Sequence, residues 1–326
     1  MDEKLRNEDN ETTYPLGVRI GTTVRRVGET GTIGVKNVVG NKYMLERKVG
    51  SGAYGQVFLG TDMSNGEKVA IKVNRYKTKF PGPSKEERIG DRLQNEQGFP
   101  VIRWSGRVGS HNVIVMDLLG HNLQTHFEHC FRRFSLKTVL LLADQLISRL
   151  EAIHLKGVVH NDMKPCNCMV GLSDKSHVIY LIDFGLSEHL RDRDTNQTLP
   201  HRGNVFTSIN THLRIQPSQR DDLESLGYML LMFLRGGLPW QDVSGTTYRD
   251  TQNEILKKKQ SIPVTDLCKG CPVEFAQYLT ICRSLRFNDK PDYNYLRHLL
   301  KILFKRNNFT SDIFFDWDLP SGICYE

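Results

Sequence analysis

The segment His160-Asn161-Asp162-Met163-Lys164-Pro165-Cys166-Asn167 decides how the rest of the chain is read. It sets a carboxylate, a cation and a carboxamide in the form H-x-D-x-K-P-x-N. Asp162 can accept, or at least orient, the proton of an attacking hydroxyl. Lys164 can neutralise charge on a phosphoryl group in transfer. Asn167 can ligate magnesium through its amide oxygen. Downstream, Asp183-Phe184-Gly185 follows the apolar run Val178–Ile182. Asp183 is placed there to bind magnesium, a hard cation that takes oxygen ligands. His160 reads as a brace for the loop rather than as a catalyst. Each fragment alone is ordinary loop chemistry, and their order along the chain gives them weight.

Upstream, Gly50-Ser51-Gly52-Ala53-Tyr54-Gly55-Gln56-Val57 matches G-x-G-x-x-G-x-V. A dinucleotide fingerprint opens a helix. Here Val57-Phe58-Leu59-Gly60 instead continues as a strand towards a hairpin. A glycine-rich loop between two strands lets backbone amides approach a triphosphate, although alone it reads equally as a simple hairpin. The next strand carries Val69-Ala70-Ile71-Lys72. Lys72 can hold the α- and β-phosphates, and a carboxylate on the following helix would orient it. Glu86 and Glu87 are both available. Ser84 and Glu87 form a capping box, which leaves Glu86 for Lys72. A lone lysine on an exposed strand is usually a solvated charge, but its place one hairpin after the glycine loop favours the functional reading.

The surrounding pattern divides the chain. Tyr43–Val49, Val57–Gly60 and Val69–Val73 read as strands, and Asn65-Gly66 predicts a two-residue hairpin turn with positive φ at both positions. Pro81-Gly82-Pro83 is a turn before a helix start at Ser84. Val101–Ser105 and Asn112–Met116 return to strand. Ser135 can cap a helix carrying Leu136, Val139, Leu140, Ala143, Ile147 and Leu150 on one face, with Lys156-Gly157 as its stop. Val158–His160 and Val178–Ile182 are short strand-like runs. Asp221–Leu234 is apolar on nearly every side and predicts a central buried helix. Val273–Cys282 and Tyr293–Lys305 are amphipathic. A small sheet-rich lobe therefore precedes a large helical one. Residues 1–42 are polar or aperiodic and are expected to be an extended or mobile arm, disordered in part.

Composition bounds the rest. At about 150 residues per domain, 326 residues suggest two domains or one two-lobed domain. The hydrophobic share of 39% and charged share of 25% fit a globular chain and exclude collagen-like or wholly disordered classes. No window approaches the roughly 18 apolar residues of a membrane span. Met1-Asp2-Glu3-Lys4 opens no signal region, so secretion is not expected. The net charge of +7 suits anionic partners without choosing among them. Without a basic block or an aromatic ribonucleoprotein motif, nucleic acid is not expected. Cys268-x-x-Cys271 lacks a second pair at zinc-site spacing, so the seven cysteines read as reduced thiols.

With these motifs in hand, the chain resembles eukaryotic protein kinases, and more narrowly the casein kinase 1 family. The narrow likeness is carried by Met116-Asp117-Leu118-Leu119-Gly120, Phe134–Leu140, Ala143-Asp144-Gln145 and Ser208-Ile209-Asn210-Thr211-His212-Leu213. Arg220–Tyr228, Leu238-Pro239-Trp240-Gln241, Leu267-Cys268-Lys269-Gly270 and Phe315-Asp316-Trp317 extend it. The resemblance implies an α+β, bilobal kinase fold over residues 43–319, with an N-lobe at 43–117, a C-lobe at 118–319 and a short tail at 320–326. It implies a monomeric serine/threonine kinase of cytoplasm or nucleus that uses ATP and Mg2+ on protein substrates. Val49, the 50–55 loop, Val57, Ala70, Lys72, Met116, Leu119 and Met169 would meet the nucleotide. Met116 would be the gatekeeper, Leu119 the hinge, and Asp222 the buried aspartate bracing the catalytic loop.

Three departures stand out. Asn161 replaces the family's usual Arg. The activation segment is shorter by about seven residues between Arg202 and Gly203 on family comparison. Val205 and Ser244 stand where the family has two basic residues that bind an anion, thought to be a primed phosphate. An apolar group and a hydroxyl cannot replace two cations beside a dianion, so a weakened preference for primed substrates is expected. The alternative is a pseudokinase that binds nucleotide but transfers little phosphate. Its retained Lys72, Asp162, Asn167 and Asp183 weigh against that alternative.

Overall fold

A computed structural model describes residues 38–52, 55–75, 84–190, 203–310 and 312–319. The expected arm over residues 1–37, the loop residues Ala53 and Tyr54, the 81–83 turn and the tail lie outside them. The chain divides into two compact units. The first comprises the described residues up to 75 with 104–115, and the second comprises 84–103 with 116–319.

The first unit is built on strands β1 (Val38–Val39), β2 (Tyr43–Gly52), β3 (Gly55–Asp62) and β4 (Lys68–Arg75). Helix α1 (Lys85–Leu93) follows in the chain, then β5 (Ile102–Val108) and β6 (His111–Asp117). The strands form one sheet in the order β1-β2-β3-β4-β6-β5. Period-two alternation of apolar residues gives the sheet one buried face, formed by Tyr43, Phe58, Val69, Ile71, Val73, Val113 and Val115. Val38 and Val39, expected in the arm, pair with Met44 and Tyr43, and Val39 is fully buried. Two register shifts between Leu45 and Gly50 bend β2 just before the glycine loop.

The two-residue turn expected at Asn65-Gly66 is a longer loop. Only Gly66 of the pair has a positive φ, at 78°. The Asp62 carboxylate captures the Ser64 amide at 2.9 Å and the Ser64 hydroxyl at 2.6 Å. That side-chain turn starts the reversal earlier than the Asn-Gly pair.

In the second unit, α1 starts at the expected capping box. Ser84 and Glu87 exchange two hydrogen bonds of 3.1 Å. Its apolar residues Ile89 and Leu93 lie in the second unit's core, and Lys85 donates to the Ser187 carbonyl at 2.8 Å. The chain continues through α2 (Leu123–His129), α3 (Leu136–Leu155), β7 (Val158–Val159), β8 (Cys168–Val170), β9 (Ile179–Leu181) and β10 (Glu188–His189). It ends with α4 (Ile209–His212), α5 (Gln219–Arg235), α6 (Tyr248–Ser261), α7 (Val264–Leu267), α8 (Val273–Ser284) and α9 (Tyr293–Arg306).

Helix α5 is the axis of this unit, with every residue from Asp221 to Phe233 buried. Each fully buried Leu along it contributes about 2 kcal/mol of transfer free energy. Gly227 lets α8 approach, since a Cβ there would fall 2.5 Å from Leu279. Gly236 ends the helix in the left-handed region, its amide bonding Met232 at 2.8 Å. Ser135 caps α3 as expected, donating to Asp316 at 2.6 Å while its oxygen accepts the Thr138 amide. The 315–319 segment is thereby held on the start of α3. No helix among the described residues is long and apolar enough to cross a membrane.

The same C-terminal segment meets a histidine cluster. His126 stacks on Trp317 at 4.4 Å and lies 5.9 Å from His121. Burial, and then repulsion from His121 and His129, push His126 down from 6.5 to about 4. The folded state therefore binds fewer protons than the unfolded chain between those values, and its stability falls as pH drops through them. Denaturation midpoints measured from pH 7 to pH 4 should show that decline, and His126→Phe, which keeps a ring on Trp317, should lessen it.

Candidate active site

The catalytic segment is shaped by one buried carboxylate. Asp222, on α5 and 2% exposed, accepts the His160 amide at 2.7 Å and the Asn161 amide at 2.9 Å. His154 Nε2 lies 2.9 Å from the same carboxylate, and its Nδ1 lies 2.7 Å from the Tyr293 hydroxyl. The expected bracing role of Asp222 is thus realised in hydrogen bonds. Two of its supports, His154 and Tyr293, carry no sequence signal beyond a histidine in a helix's last turn and a tyrosine starting another.

Asp162 is 6% exposed and receives three side-chain donors. Lys164 Nζ reaches Oδ2 at 2.6 Å and Asn167 Nδ2 reaches the same oxygen at 2.9 Å. Asn204 Nδ2 donates to Oδ1 at 3.1 Å. An ionised carboxylate offers about four acceptor positions, so these donors leave roughly one for an incoming hydroxyl. Asn204 was not singled out from sequence. An asparagine before Val205-Phe206-Thr207 is a turn signal at most, and its bond to Asp162 spans 42 positions. In the structure it also accepts the Phe206 amide at 2.7 Å, so the amide group is fixed at both ends.

Asn167 is placed for an oxygen ligand. Its amide nitrogen is occupied by the Asp162 carbonyl at 2.8 Å as well as the carboxylate, which turns its Oδ1 the other way. The β8–β9 ladder continues past its end through the Ile182 amide on the Asn167 carbonyl at 2.9 Å. That bond sets Asn167 beside Asp183. Asp183 sits in the left-handed region at φ 68°, ψ 74°, an unfavourable conformation for a residue with a Cβ. Phe184 packs edge-on to His160 at 5.4 Å, and His160 Nε2 lies 3.1 Å from the Ile182 carbonyl. His160 therefore braces the loop, as its sequence position predicts. An amide and a carboxylate on adjacent strand ends are oxygen donors that could hold a magnesium ion, a hard cation.

Asn161 adopts φ 64° and donates to the Leu186 carbonyl at 3.3 Å. This neutral bond ties the catalytic segment to the turn after Gly185. The Asn161 Oδ1 is buried and has no hydrogen-bond partner among the described residues.

In the first unit, the glycine loop joins β2 to β3. Gly50 pairs with Val57, Ser51 with Gln56, and Gly52 with Gly55. A Cβ on Gly55 would fall 2.5 Å from the Val73 carbonyl oxygen, a backbone atom that cannot step aside, so glycine is required there. Val57 is also the register partner of Lys72, while Ala70 faces Leu59. The glycine loop and the β4 lysine are thus neighbours in one sheet. Val49 is 45% exposed just before the loop. Glu86 lies in the first turn of α1, Met116 near the end of β6, and Leu119 in the connector to α2. Met169 pairs with Tyr180 across β8–β9.

Residues 43–306 match the family model described as the protein kinase domain. The match spans the antiparallel sheet unit and the helical unit in the order that the α+β expectation required. It also contains the glycine loop, Lys72, the Asp162 segment and Asp183 in sequence. The chain therefore belongs to the protein kinase family.

Proposed function

We propose that the chain is a serine/threonine protein kinase of the casein kinase 1 type, with Asp162 as the group that takes the acceptor's proton. The observation that carries this reading is the assembled Asp162 cluster. Lys164, Asn167 and Asn204 hold the carboxylate while Asp222 holds the backbone beneath it. The narrower family placement rests on sequence. Ser208-Ile209-Asn210, Arg220–Tyr228 and Leu238-Pro239-Trp240-Gln241 are its hallmarks.

In the proposed reaction, a serine or threonine oxygen attacks the γ-phosphorus of ATP. The new O–P bond forms as the bond to the β–γ bridging oxygen breaks, and that electron pair leaves with ADP. The hydroxyl proton passes to Asp162, which sheds it to solvent afterwards. Lys164 lies against the same carboxylate and supplies a positive charge beside the transferring group. Magnesium bound with ATP neutralises phosphate charge, and Asn167 and Asp183 are the residues assigned to hold it. Lys72, oriented by Glu86, is assigned to the α- and β-phosphates. Val49, Gly50, Ser51, Gly52, Ala53, Tyr54, Gly55, Val57, Ala70, Met116, Leu119 and Met169 are assigned to the nucleotide. A monomer acting in cytoplasm or nucleus completes the reading.

The substrate preference follows from two positions. Val205 packs against the apolar core of its unit, and its carbonyl accepts the Trp240 indole N–H at 2.7 Å. Ser244 is exposed. Neither supplies a cation, so a phosphate upstream of the target gains nothing from them.

Transfer from Mg·ATP to casein should occur with the wild-type chain and fall at least about a hundredfold with Asp162→Asn, with Mg·ATP binding retained. A wild-type chain that binds Mg·ATP tightly yet transfers nothing would instead be a pseudokinase. In a peptide pair differing only by an upstream phosphoserine, kcat/KM should agree within about twofold to threefold. A large preference for the primed peptide would show that another cation fills the missing pair's role.

A further inference from the structure

Helix α6 turns Gln252, Ile255 and Lys259 inward, and the lysine is fully buried at 0% exposure. Its Nζ donates to the Thr207 carbonyl at 2.5 Å and lies 3.3 Å from His212 Nε2. The ammonium sits over two aromatic faces, 4.7 Å from Tyr228 and 5.0 Å from Trp240. The nearby carboxylate is Glu224, which is already engaged by Arg283 at 3.3 Å, by the Tyr228 hydroxyl and by the Ile209 amide. Burial draws the Lys259 amine well below the ordinary lysine range, while Glu224 acts the other way and Arg283 adds to the lowering. An apolar side chain of similar volume would fill this site without that cost. What sets the lysine apart from such a side chain is the pair of polar groups its Nζ meets.

The bonds it makes lead to the catalytic carboxylate. Lys259 holds the backbone of Thr207. The Thr207 hydroxyl accepts the Asn204 amide at 2.8 Å, and Asn204 donates to Asp162. The first residue of α6 grips the same segment from outside. The Tyr248 hydroxyl accepts the Gly203 N–H and donates to the Gly203 carbonyl, both at 2.9 Å. A Cβ at position 203 would fall 2.6 Å from Gln252 Oε1, so any side chain there would have to displace that amide group of α6. Trp240, beneath the ammonium, bonds the Val205 carbonyl. Residues 203–207 therefore hang on α6 and its aromatic neighbours at both ends and in the middle.

We propose that Lys259 and Tyr248 are positioning residues for the acceptor side of the site, setting residues 203–207 and, through Asn204, the orientation of Asp162. The proposal rests on the kinase reading for its consequence in catalysis, but its geometry can be tested apart from it.

The experiment uses the full chain with Tyr248→Phe, Lys259→Met and, as a control for simple destabilisation, Ile255→Ala on the same helix. Kinetics are measured with a serine peptide and with ATP varied separately. Tyr248→Phe removes one hydroxyl from an exposed ring, 54% accessible, so folding is not at stake. It should raise the peptide KM about threefold to tenfold. Lys259→Met should lower kcat about tenfold or more. Neither should move the KM for ATP beyond about twofold, and Ile255→Ala should leave all three constants near wild type. Hydrogen exchange supplies a readout that needs no activity. The amides of Gly203, Asn204 and Phe206 should exchange about tenfold faster in both variants, while those of His160 and Asn161 stay protected. Unchanged exchange at 203–206, or kinetic losses that Ile255→Ala reproduces, would overturn the proposal. If the wild type transfers no phosphate but exchange accelerates as stated, the positioning stands and the kinase reading fails.

Discussion

A single carboxylate buried in a helix holds the backbone on which the proposed chemistry stands. Asp222 lies on the most deeply buried helix of its unit and takes amides from two successive residues of the catalytic segment. A charge placed 2% exposed is tolerable only when its lone pairs are occupied. Here they are met by the His160 and Asn161 amides and by His154. The dependence is mutual. Without the carboxylate those two amides would lose their partner, and each one that water does not reach would cost about 1–3 kcal/mol. The left-handed turn at Asn161 is stabilised by the same bonds, and Asp162 follows it directly. Helix α5 is therefore more than hydrophobic filling. Its apolar flanks fix the height of the helix, and of its three buried carboxylates the one at position 222 fixes the loop above it.

From that anchor the site spreads through short-range chemistry. His160 reaches the strand end before Asp183, and the backbone bond from Ile182 to Asn167 ties Asn167 to that same strand end. Asn204 enters from the segment before α4 and closes the third side of Asp162. Each contact is an ordinary hydrogen bond. Together they leave the carboxylate about one free acceptor position in a shielded setting, which suits the proposed role of receiving one proton from one hydroxyl. Asn161 takes no part as a charge. In this chain the link from the catalytic segment to the turn after Gly185 is a neutral amide bond.

Much of this was legible from sequence because the chemistry sits in short, contiguous runs. The 160–167 and 183–185 segments, the glycine loop and the β4 lysine each announce themselves within eight residues. Capping boxes and apolar periodicity likewise located α1, α3, α5, α8 and α9. The missed features share a different physical character. Helix α6 shows little apolar period because two of its three inward positions are Gln252 and Lys259. Asn204 meets Asp162 across 42 positions, Tyr293 meets His154 across 139, and Asp316 meets Ser135 across 181. Such pairs depend on tertiary placement, which no local pattern encodes. The Asn65-Gly66 turn departs from its local signal for the opposite reason. A local competitor, the Asp62 carboxylate, had a nearer amide to capture.

The most direct test of this account is the single-turnover rate of phosphoryl transfer in Asp222→Asn at saturating Mg·ATP. The change keeps the side chain's size but removes the charge and one acceptor, so the catalytic segment should lose its fixed register. The rate should fall by about a hundredfold, with nucleotide affinity near that of the wild type. A rate within about twofold of the wild type would contradict the claim that this buried carboxylate positions Asp162.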